Sequence, residues 1–365
     1  MALTLSGNGA ISGPLNLNTT NAVSIANTLS FGDSTQMSTT NSLGPRNRII
    51  NGDFKIFQRS ATATTVTLNG VGYTGPDRFF VYQNGTAGVQ TTQVASGLTG
   101  FQYALKWGRP VSNTTTGVTV LGQALETINS VDLQGQSVTL SFWAKAGANF
   151  SAASSQIYVA LYTGTGTDQS AANMTTGSWT GSATPISATA TLTTSWQRFS
   201  FTATLGSTVT QTGVYINWSP VGTAGADDNV YITGVQLEQG SVATPFERRS
   251  YGIELALCQR YFLSYSGNNQ NICCGSDNGN AGAQGNVVFP VTMRVVPTAS
   301  VSSVSHFSWY ASKSATIVVL SSITHWNLST TGDVFVFTVG NQGVGVPYSV
   351  YINTASGYLW YNAEL

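Results

Sequence analysis

Alternation of apolar and polar residues is the strongest pattern in this sequence. Residues 137–146 place an apolar side chain at every second position, which is the spacing of a strand that buries one face. The pattern recurs in residues 156–162, 196–205, 214–218 and 230–237, between segments rich in Gly, Ser, Thr and Asn. Many short strands separated by such turns are typical of a sandwich. The sequence therefore predicts an all-β fold built around a jelly-roll β-sandwich.

Changes in composition divide the chain into three parts. Residues 1–45 contain a single charged residue, Asp33, and too few apolar residues to close a core. We expect them to form an extended β or fibrous segment, a short shaft or an anchor, with a disordered linker as the alternative. Residues 46–249 correspond to the predicted jelly roll. Residues 250–365 are predicted to form a smaller β-sandwich that opens with one short helix.

That helix is predicted from residues 252–262. Ile253, Leu257 and Tyr261 recur every four residues, which would place them along one buried face. Ser250 precedes the segment and is a suitable capping residue. The Gly- and Asn-rich residues 275–285 that follow predict an exposed loop, which we consider a candidate contact tip.

The charge content excludes several partners. Charged residues make up 8% of the 365, and 14 Lys and Arg balance 14 Asp and Glu. A nucleic-acid surface needs clustered cations, and so does binding to anionic lipid, so we expect neither partner. No apolar stretch reaches the roughly 18 to 20 residues of a membrane helix, and the first residues lack the pattern of a signal peptide. A polar, uncharged surface without a secretion signal suits a virion part made in the bacterial cytoplasm and released by lysis.

Residue types that usually carry catalysis are sparse. Cys258, Cys273 and Cys274 form neither a disulfide framework nor, with His306 and His325, a zinc-binding spacing. No phosphate-binding loop or dinucleotide fingerprint is present. Both histidines lie in aromatic-rich, strand-like segments, where packing is the more common role. We therefore expect no enzymatic activity.

Glycoside hydrolysis is the alternative, because it needs only two suitably spaced carboxylates. Sequence does not show which carboxylates converge. The candidates are Glu126, Asp132, Asp227, Asp228 and Glu238.

Aromatic side chains on the polar side of the predicted strands suggest sugar binding. Trp143, Tyr158 and Tyr162 lie opposite the core-facing alternation. An aromatic ring can stack on the apolar face of a pyranose while uncharged polar groups bind its hydroxyls. These three residues are the candidate glycan platform. The alternative is that the rings pack against a second sheet or a neighbouring subunit.

Two acidic segments suggest a structural calcium ion. Asp53 lies near the start of the predicted jelly roll, and Asp228 precedes its last strand. Carboxylates at the first and last strands of a sandwich can hold Ca²⁺, and hydrogen bonding within local turns is the alternative role. We expect no other cofactor.

Distinctive sequence runs stand at the start and end of the predicted jelly roll and in the C-terminal part. The runs are RIINGDF (48–54), IFQR (56–59), YTGPDRF (73–79), GVQLEQGSVATPFERR (234–249), SYG (250–252), LCQRYF (257–262), FPVTMR (289–294), PT (297–298) and NAEL (362–365). They resemble a domain that is common in bacteriophage tail fibre proteins and the small terminal domain that often follows it. The resemblance implies a jelly roll like that of carbohydrate-binding modules, then a terminal β-domain, on a trimeric phage appendage. It relates Asp53 to the calcium-binding residue of those modules, and it implies no catalytic residue.

Together these observations predict a non-enzymatic virion protein, a homotrimeric tail fibre or receptor-binding protein that contacts host surface glycans. Residues 1–45 would attach it to another virion protein, and residues 250–365 would face the host. One alternative is a capsid fibre or decoration protein on the exterior of the head. Another is a polysaccharide-degrading tailspike.

Overall fold

The computed structural model describes residues 46–60, 70–84, 88–277, 282–311, 316–338 and 346–365, and three short strands outside those ranges. Contacts divide the chain into residues 1–44 and residues 45–365. In the first unit, strand β1 (Thr28–Ser30) pairs antiparallel with strand β2 (Gln36–Ser38). The remainder of the predicted shaft, anchor or linker lies outside the described residues.

Two antiparallel sheets packed face to face confirm the predicted all-β class and sandwich. Their strands are β3 (Thr64–Val66), β4 (Gly70–Gly72), β5 (Phe80–Gln83), β6 (Val89–Ala95), β7 (Tyr103–Gly108), β8 (Thr119–Ala124), β9 (Ser137–Ala146), β10 (Gln156–Gly164), β11 (Ala183–Thr191), β12 (Gln197–Thr204), β13 (Gln211–Trp218) and β14 (Asn229–Gln239). Sheet I has the strand order β12-β9-β14-β7-β6-β3. Sheet II has the order β11-β10-β13-β8-β5-β4.

The core lies between these sheets. Along β9, the alternate residues Val138, Leu140, Phe142 and Ala144 are buried, as the alternation predicts, and they pack with the inward residues of β10. The rings of Trp107 and Trp218 also meet in this core, edge to face at 6.3 Å. Removal of these apolar side chains from water is the main force that holds the two sheets together.

Two helices interrupt the strands. Helix α1 (Ala171–Thr175) was not expected from the sequence, and helix α2 (Tyr251–Gln259) lies close to the predicted position. Four 3-10 turns accompany them among the described residues: Thr127–Asn129, Val131–Leu133, Ala153–Ser155 and Val304–His306.

The predicted face of helix α2 is wrong in part. Ile253 is 58% exposed, whereas Glu254 and Cys258 are buried. Glu254 turns inward because its carboxylate accepts a hydrogen bond from the Asn51 backbone N–H at 2.6 Å and pairs with Arg249 at 3.2 Å. The predicted side-chain cap is also wrong, since Ser250 occupies the capping position without a capping hydrogen bond.

The C-terminal part has a core of its own between two further sheets. Its strands are β15 (Phe262–Ser266), β16 (Asn271–Asp277), β17 (Gly282–Val288), β18 (Thr298–Val301), β19 (Phe307–Ala311), β20 (Thr316–Val319), β21 (Ile323–His325), β22 (Gly332–Thr338), β23 (Pro347–Ile352) and β24 (Tyr358–Asn362). Sheet III has the order β15-β24-β18, and sheet IV has the order β20-β19-β23-β16-β17-β22-β21.

The predicted loop at residues 275–285 is mostly a strand pair. Gly275 lies opposite Gly285 in the ladder between β16 and β17, and only residues 278–281 at its end lie outside the described ranges. A Cβ atom on Gly275 would lie 2.0 Å from the Gln284 carbonyl oxygen, so glycine is required there by close approach of the neighbouring strand. The candidate contact tip is therefore shorter than predicted.

A buried charge cluster joins the sandwich to the C-terminal part. The Glu364 carboxylate pairs with both Arg59 and Arg78, and all three side chains are almost fully buried. The Arg78 guanidinium lies 3.5 Å from the Tyr261 ring centroid, and that of Arg59 lies 3.6 Å from Phe262. Residues 45–365 form one compact unit, and the domain boundary placed at residue 249 remains a prediction.

No helix within the described ranges is long and apolar enough to cross a bilayer.

Glu364 provides a test of this junction. The substitution Glu364→Gln leaves the Arg78 guanidinium buried without an anion and the Arg59 guanidinium with Asp77 alone, at 3.7 Å, which should cost about 3–5 kcal/mol in the free energy of unfolding. Urea unfolding followed by circular dichroism measures that loss. Asp132→Asn is the matched control, because Asp132 is a 53% exposed partner of Arg48 and its loss should cost less than about 1 kcal/mol. Equal losses in the two variants would contradict the structural role of Glu364.

Candidate functional site

The structure separates the three aromatic residues of the predicted platform. Tyr158 and Tyr162 lie on β10 and point away from the core on the outer face of sheet II. Trp143 lies on β9, on the outer face of sheet I. The two outer faces are on opposite sides of the sandwich. The three side chains therefore do not form one surface, and the two tyrosines are considered first.

Strand register places further residues beside Tyr158. It lies opposite Asn217 on β13, which lies opposite Val120 on β8, which in turn lies opposite Tyr82 on β5. Directly paired residues in antiparallel strands share a face, with Cβ atoms about 4.5–5.5 Å apart. Tyr158, Asn217, Val120 and Tyr82 therefore form a row across sheet II.

A second row runs beside the first. Ala160 lies opposite Tyr215, Tyr215 opposite Gly122, and Gly122 opposite Phe80. Gly122 makes room for its neighbour, because a Cβ atom there would lie 2.4 Å from Cζ of Phe80. The small residues Ala160 and Gly122 thus leave space for the rings of Tyr215 and Phe80 on the outer face of the sheet.

Helix α1 covers one end of this surface. Gly213 lies opposite Tyr162 on the neighbouring strand, and a Cβ on Gly213 would lie 2.3 Å from Sδ of Met174 and 3.0 Å from the Trp179 ring. The Trp179 indole N–H donates to the Ser170 carbonyl at 2.9 Å, which fixes that ring. The covered end is apolar, and the uncovered part carries the tyrosines.

Three partly exposed tyrosines and the buried Tyr215 make up what we name the tyrosine face: Tyr82, Tyr158, Tyr162 and Tyr215. The rings of Tyr162 and Tyr215 meet edge to face at 5.3 Å. The Tyr158 hydroxyl is 2.9 Å from the Ser187 hydroxyl on β11. Tyr215 is 8% exposed, and the other three rings are half-buried. The base of the face is therefore fixed by packing while ring surface remains open to a ligand.

The tyrosine face is electrically neutral. Burial, with a smaller effect from Tyr162, raises the pKa of Tyr215 to about 12, and burial with an effect from Tyr158 raises the pKa of Tyr162. A raised pKa keeps a phenol protonated well above neutral pH, so both hydroxyls stay uncharged donors. The two rows contain no Lys, Arg, Asp or Glu. The face can offer aromatic surface, hydroxyls and the Asn217 amide, without charge.

Asp53 and Asp228 are not brought together. The Asp228 carboxylate is buried and accepts from Arg109 Nε at 2.8 Å and from the Ser151 backbone N–H at 2.8 Å. Asp53 pairs with Lys55 at 3.3 Å, in a loop whose Gly52 carbonyl binds the Val235 N–H. Val235 follows Asp228 by seven residues, which is about 23 Å along a strand. The described residues contain no group of three or more His, Cys, Asp or Glu side chains arranged to hold a metal ion.

The carboxylates considered for hydrolysis have structural partners. Glu126 pairs with Arg260 at 2.9 Å, and Asp132 pairs with Arg48 at 2.5 Å. Glu238 is buried and accepts from Gln236 at 2.8 Å and from the Thr244 hydroxyl at 2.6 Å. Asp227 accepts from the Tyr231 hydroxyl at 2.9 Å. Asp228 is the buried partner of Arg109.

The histidines also have local partners. The His325 ring contacts the buried Asp333 carboxylate, which accepts from the Tyr361 hydroxyl at 2.8 Å. His306 lies 2.9 Å from the Ser302 hydroxyl. Sequence reasoning missed the contact between His325 and Asp333, because the two residues are eight positions apart and are brought together only by the ladder between β21 and β22.

Sequence reasoning also missed Tyr82, Tyr215 and Asn217. Tyr215 and Asn217 alternate with the inward residues Val214, Ile216 and Trp218, so their outward direction was readable from the same pattern that identified Tyr158. Tyr82 lies in a four-residue strand, β5, which is too short for a clear alternation.

No protein-family model and no curated protein sequence matches the chain. Among solved structures, the enzymatically active domain of tailspike protein 4 of bacteriophage CBA120 is similar, with 12% identity and a TM-score of 0.31 over 53% of this chain and 21% of that chain. A structure of the carbohydrate-binding module CBM4 has 18% sequence identity and a TM-score of 0.29, and the match covers 52% of this chain and 98% of that chain. The structure of TmCBM61 in complex with β-1,4-galactotriose has 14% sequence identity and a TM-score of 0.31, and the match covers 54% of this chain and 100% of that chain. At these values none of the matches assigns a function to this chain.

The calcium hypothesis has a direct test. We expect added Ca²⁺ to leave the unfolding temperature unchanged relative to the same concentration of Mg²⁺, because a cation at Asp228 would have to displace Arg109. Thermal unfolding in Ca²⁺, Mg²⁺ and EDTA measures this. An unfolding temperature that rises with Ca²⁺ concentration, and does not rise in Asp53→Asn, would contradict this expectation and support the predicted calcium site.

Proposed function

We propose that the tyrosine face of sheet II binds a neutral stretch of polysaccharide. The observation that carries this proposal is the row of Tyr158, Asn217 and Tyr82 beside the packed pair of Tyr162 and Tyr215. Ring faces can stack on the apolar faces of pyranoses, and hydroxyl and amide groups can bind the sugar hydroxyls. The row crosses four strands, a span of about 14 Å, so it suits several linked sugars rather than one.

The protein that carries this face is proposed to be a non-enzymatic part of a phage virion, a tail fibre or receptor-binding protein that contacts host glycans. Support comes from the sequence runs that resemble tail fibre domains and from the low charge content. Binding without hydrolysis is supported by the candidate carboxylates, each of which already contacts a cation or hydrogen-bond donors of its own chain.

Self-association is proposed for the C-terminal part. Strand β20 lies at one end of sheet IV among the described strands, and its Ile317 is 63% exposed. Val318 and Val319 beside it are exposed as well. An exposed apolar edge strand readily pairs with another chain unless charges block it, and these three residues carry none. In a ring of three copies, β20 of each copy would meet a different surface of the next copy, and each such edge would be covered.

Loss of one ring tests glycan binding. Tyr158→Ala should weaken binding of the tightest neutral oligosaccharide found on a glycan array by at least tenfold, about 1.4 kcal/mol, because the stacking surface is removed. Tyr158→Phe keeps the ring and should weaken oligosaccharide binding less than Tyr158→Ala does. Isothermal titration calorimetry measures both. Because the face is uncharged, affinity should stay constant from pH 5 to pH 9 and with added salt.

Tyr251→Ala is the matched control, since Tyr251 is an exposed tyrosine on helix α2, outside sheet II. Its affinity should equal that of the unchanged protein. Equal affinity in Tyr158→Ala, or the absence of any neutral ligand, would contradict the proposed site.

Light scattering tests the proposed trimer. The unchanged protein should have the mass of three chains, and Ile317→Lys should give the mass of one because it places a charge on the edge of β20. Val288→Lys is the control, since Val288 is 76% exposed on β17, away from that edge strand in sheet IV. A single-chain mass for the unchanged protein would overturn the homotrimer.

A further inference from the structure

The outer face of sheet I carries positive charge that no described carboxylate neutralises. Four described cations, Arg46, Lys145, Arg198 and Arg248, have no described carboxylate within 4.0 Å, and the last three belong to this face or its border. The other described cations each have such a partner: Arg48, Lys55, Arg59, Arg78, Lys106, Arg109, Arg249, Arg260 and Arg294.

Strand register fixes the positions of Lys145 and Arg198. Arg198 on β12 lies opposite Trp143 on β9, and Lys145 lies two residues further along β9 on the same face. Lys145 lies opposite Tyr231 on β14. Two residues of strand span about 6.6 Å, so Trp143 is a neighbour of both cations on this face, Arg198 across the ladder and Lys145 along the strand.

Aromatic rings hold the Lys145 ammonium in place, whereas one nitrogen of the Arg198 guanidinium donates to the Thr244 carbonyl oxygen. The Lys145 ammonium lies 4.9 Å from the Tyr231 ring centroid and 5.3 Å from that of Trp196. The Trp196 indole N–H donates to the Ser96 carbonyl at 2.9 Å, which fixes its ring. The ammonium is thus held by cation–π contacts, which leave its positive charge uncancelled.

The same surface continues to Arg248. Its guanidinium lies 5.0 Å from the Phe101 ring centroid. Phe101 and Trp143 converge over Gly234, where a Cβ atom would lie 2.8 Å from Phe101 and 3.3 Å from Trp143. Gly234 also has φ of +64°, so glycine is favoured there on both grounds. Phe101 and Trp143 therefore connect the three cations into one surface.

Two described carboxylates lie near this surface, and both are already engaged. Glu238 on β14 is buried and accepts from the Thr244 backbone N–H and hydroxyl. The other is Asp227. It lies 3.3 Å from the Lys106 ammonium and accepts from the Tyr231 hydroxyl. Burial works against its ionisation, but hydrogen bonds from Tyr231 and Ala148 and the charge of Lys106 hold its pKa below the ordinary value. Asp227 therefore neutralises Lys106 and leaves the charges of Lys145, Arg198 and Arg248 in excess.

We propose that the outer face of sheet I is a second binding site, which takes sugars that carry a carboxylate, such as uronic or sialic acids. Trp143 supplies a ring for stacking, and Lys145 and Arg198 flank it with charges for the carboxylate. A guanidinium matches a carboxylate with two parallel hydrogen bonds, which suits Arg198 to this role. The site is independent of the tyrosine face, and Trp143 belongs to it rather than to the platform of Tyr158 and Tyr162.

Calorimetry with charged and uncharged forms of the same sugars tests this site. The probes are an oligogalacturonate and an oligosialate, each compared with its methyl ester, which keeps the sugar backbone and removes the charge. At least one acid should bind at least tenfold more tightly than its ester, and the difference should shrink as salt is added. Lys145→Gln and Arg198→Gln should each lower the affinity for that acid at least tenfold. Lys145→Arg should retain most of it.

Two control variants distinguish binding at this site from a general effect of positive charge and from binding at the tyrosine face. Arg48→Gln removes one positive charge from an exposed ion pair and should leave the affinity unchanged, as should Tyr158→Ala on sheet II. The proposal is overturned if neither acid binds better than its ester, or if Arg48→Gln weakens binding as much as Lys145→Gln. Tighter binding of a short single-stranded DNA than of either acid would also overturn it, in favour of nucleic acid.

Discussion

The ion pairs of Glu364 with Arg59 and Arg78 hold the two parts of the chain in one unit. Each guanidinium also lies over an aromatic ring from the start of the C-terminal part, Phe262 or Tyr261. Buried charges are tolerated only when they are paired, so these side chains require the two parts to stay together. Removal of residues 250–365 would leave Arg78 without its anion and Arg59 with Asp77 as its remaining partner. The sandwich is therefore best studied in the full chain.

Alternation predicted the strands well where the side chains themselves carry the signal. Strand β9 runs from Ser137 to Ala146, as the sequence indicates. The pattern failed at Gly275 and its neighbours, which are strand residues although their composition predicts a loop. Glycine occurs there because the Gln284 carbonyl of the adjacent strand leaves no room for a Cβ atom. It also failed for helix α2, because the inward turn of Glu254 depends on Asn51, about 200 positions away in sequence.

The sequence predicts that the side chains of the candidate site point outward, but not which sheet each of them belongs to. The sequence shows that Trp143, Tyr158 and Tyr162 point away from the core, because each alternates with buried neighbours. It does not show that β9 and β10, although consecutive, belong to different sheets. That assignment depends on hydrogen bonds to β14 and β13, whose residues lie about 60 to 90 positions later. Local alternation therefore identifies which side chains point outward, but it does not show which of them lie on the same surface.

Low charge content gives the two outer faces their different chemistry. Both faces derive from the same alternation, whose inner positions must be apolar to close the core, so only the outer positions are free to differ. Seven of the described cations are committed to ion pairs that join segments distant in sequence, as Arg260 is to Glu126. Lys145 and Arg198 have no such carboxylate partner among the described residues, and both lie on the outer face of sheet I. The two described rows of the opposite face have tyrosines and no charged side chain. One sandwich can thus present a neutral surface and a cationic surface, each supported by the same core.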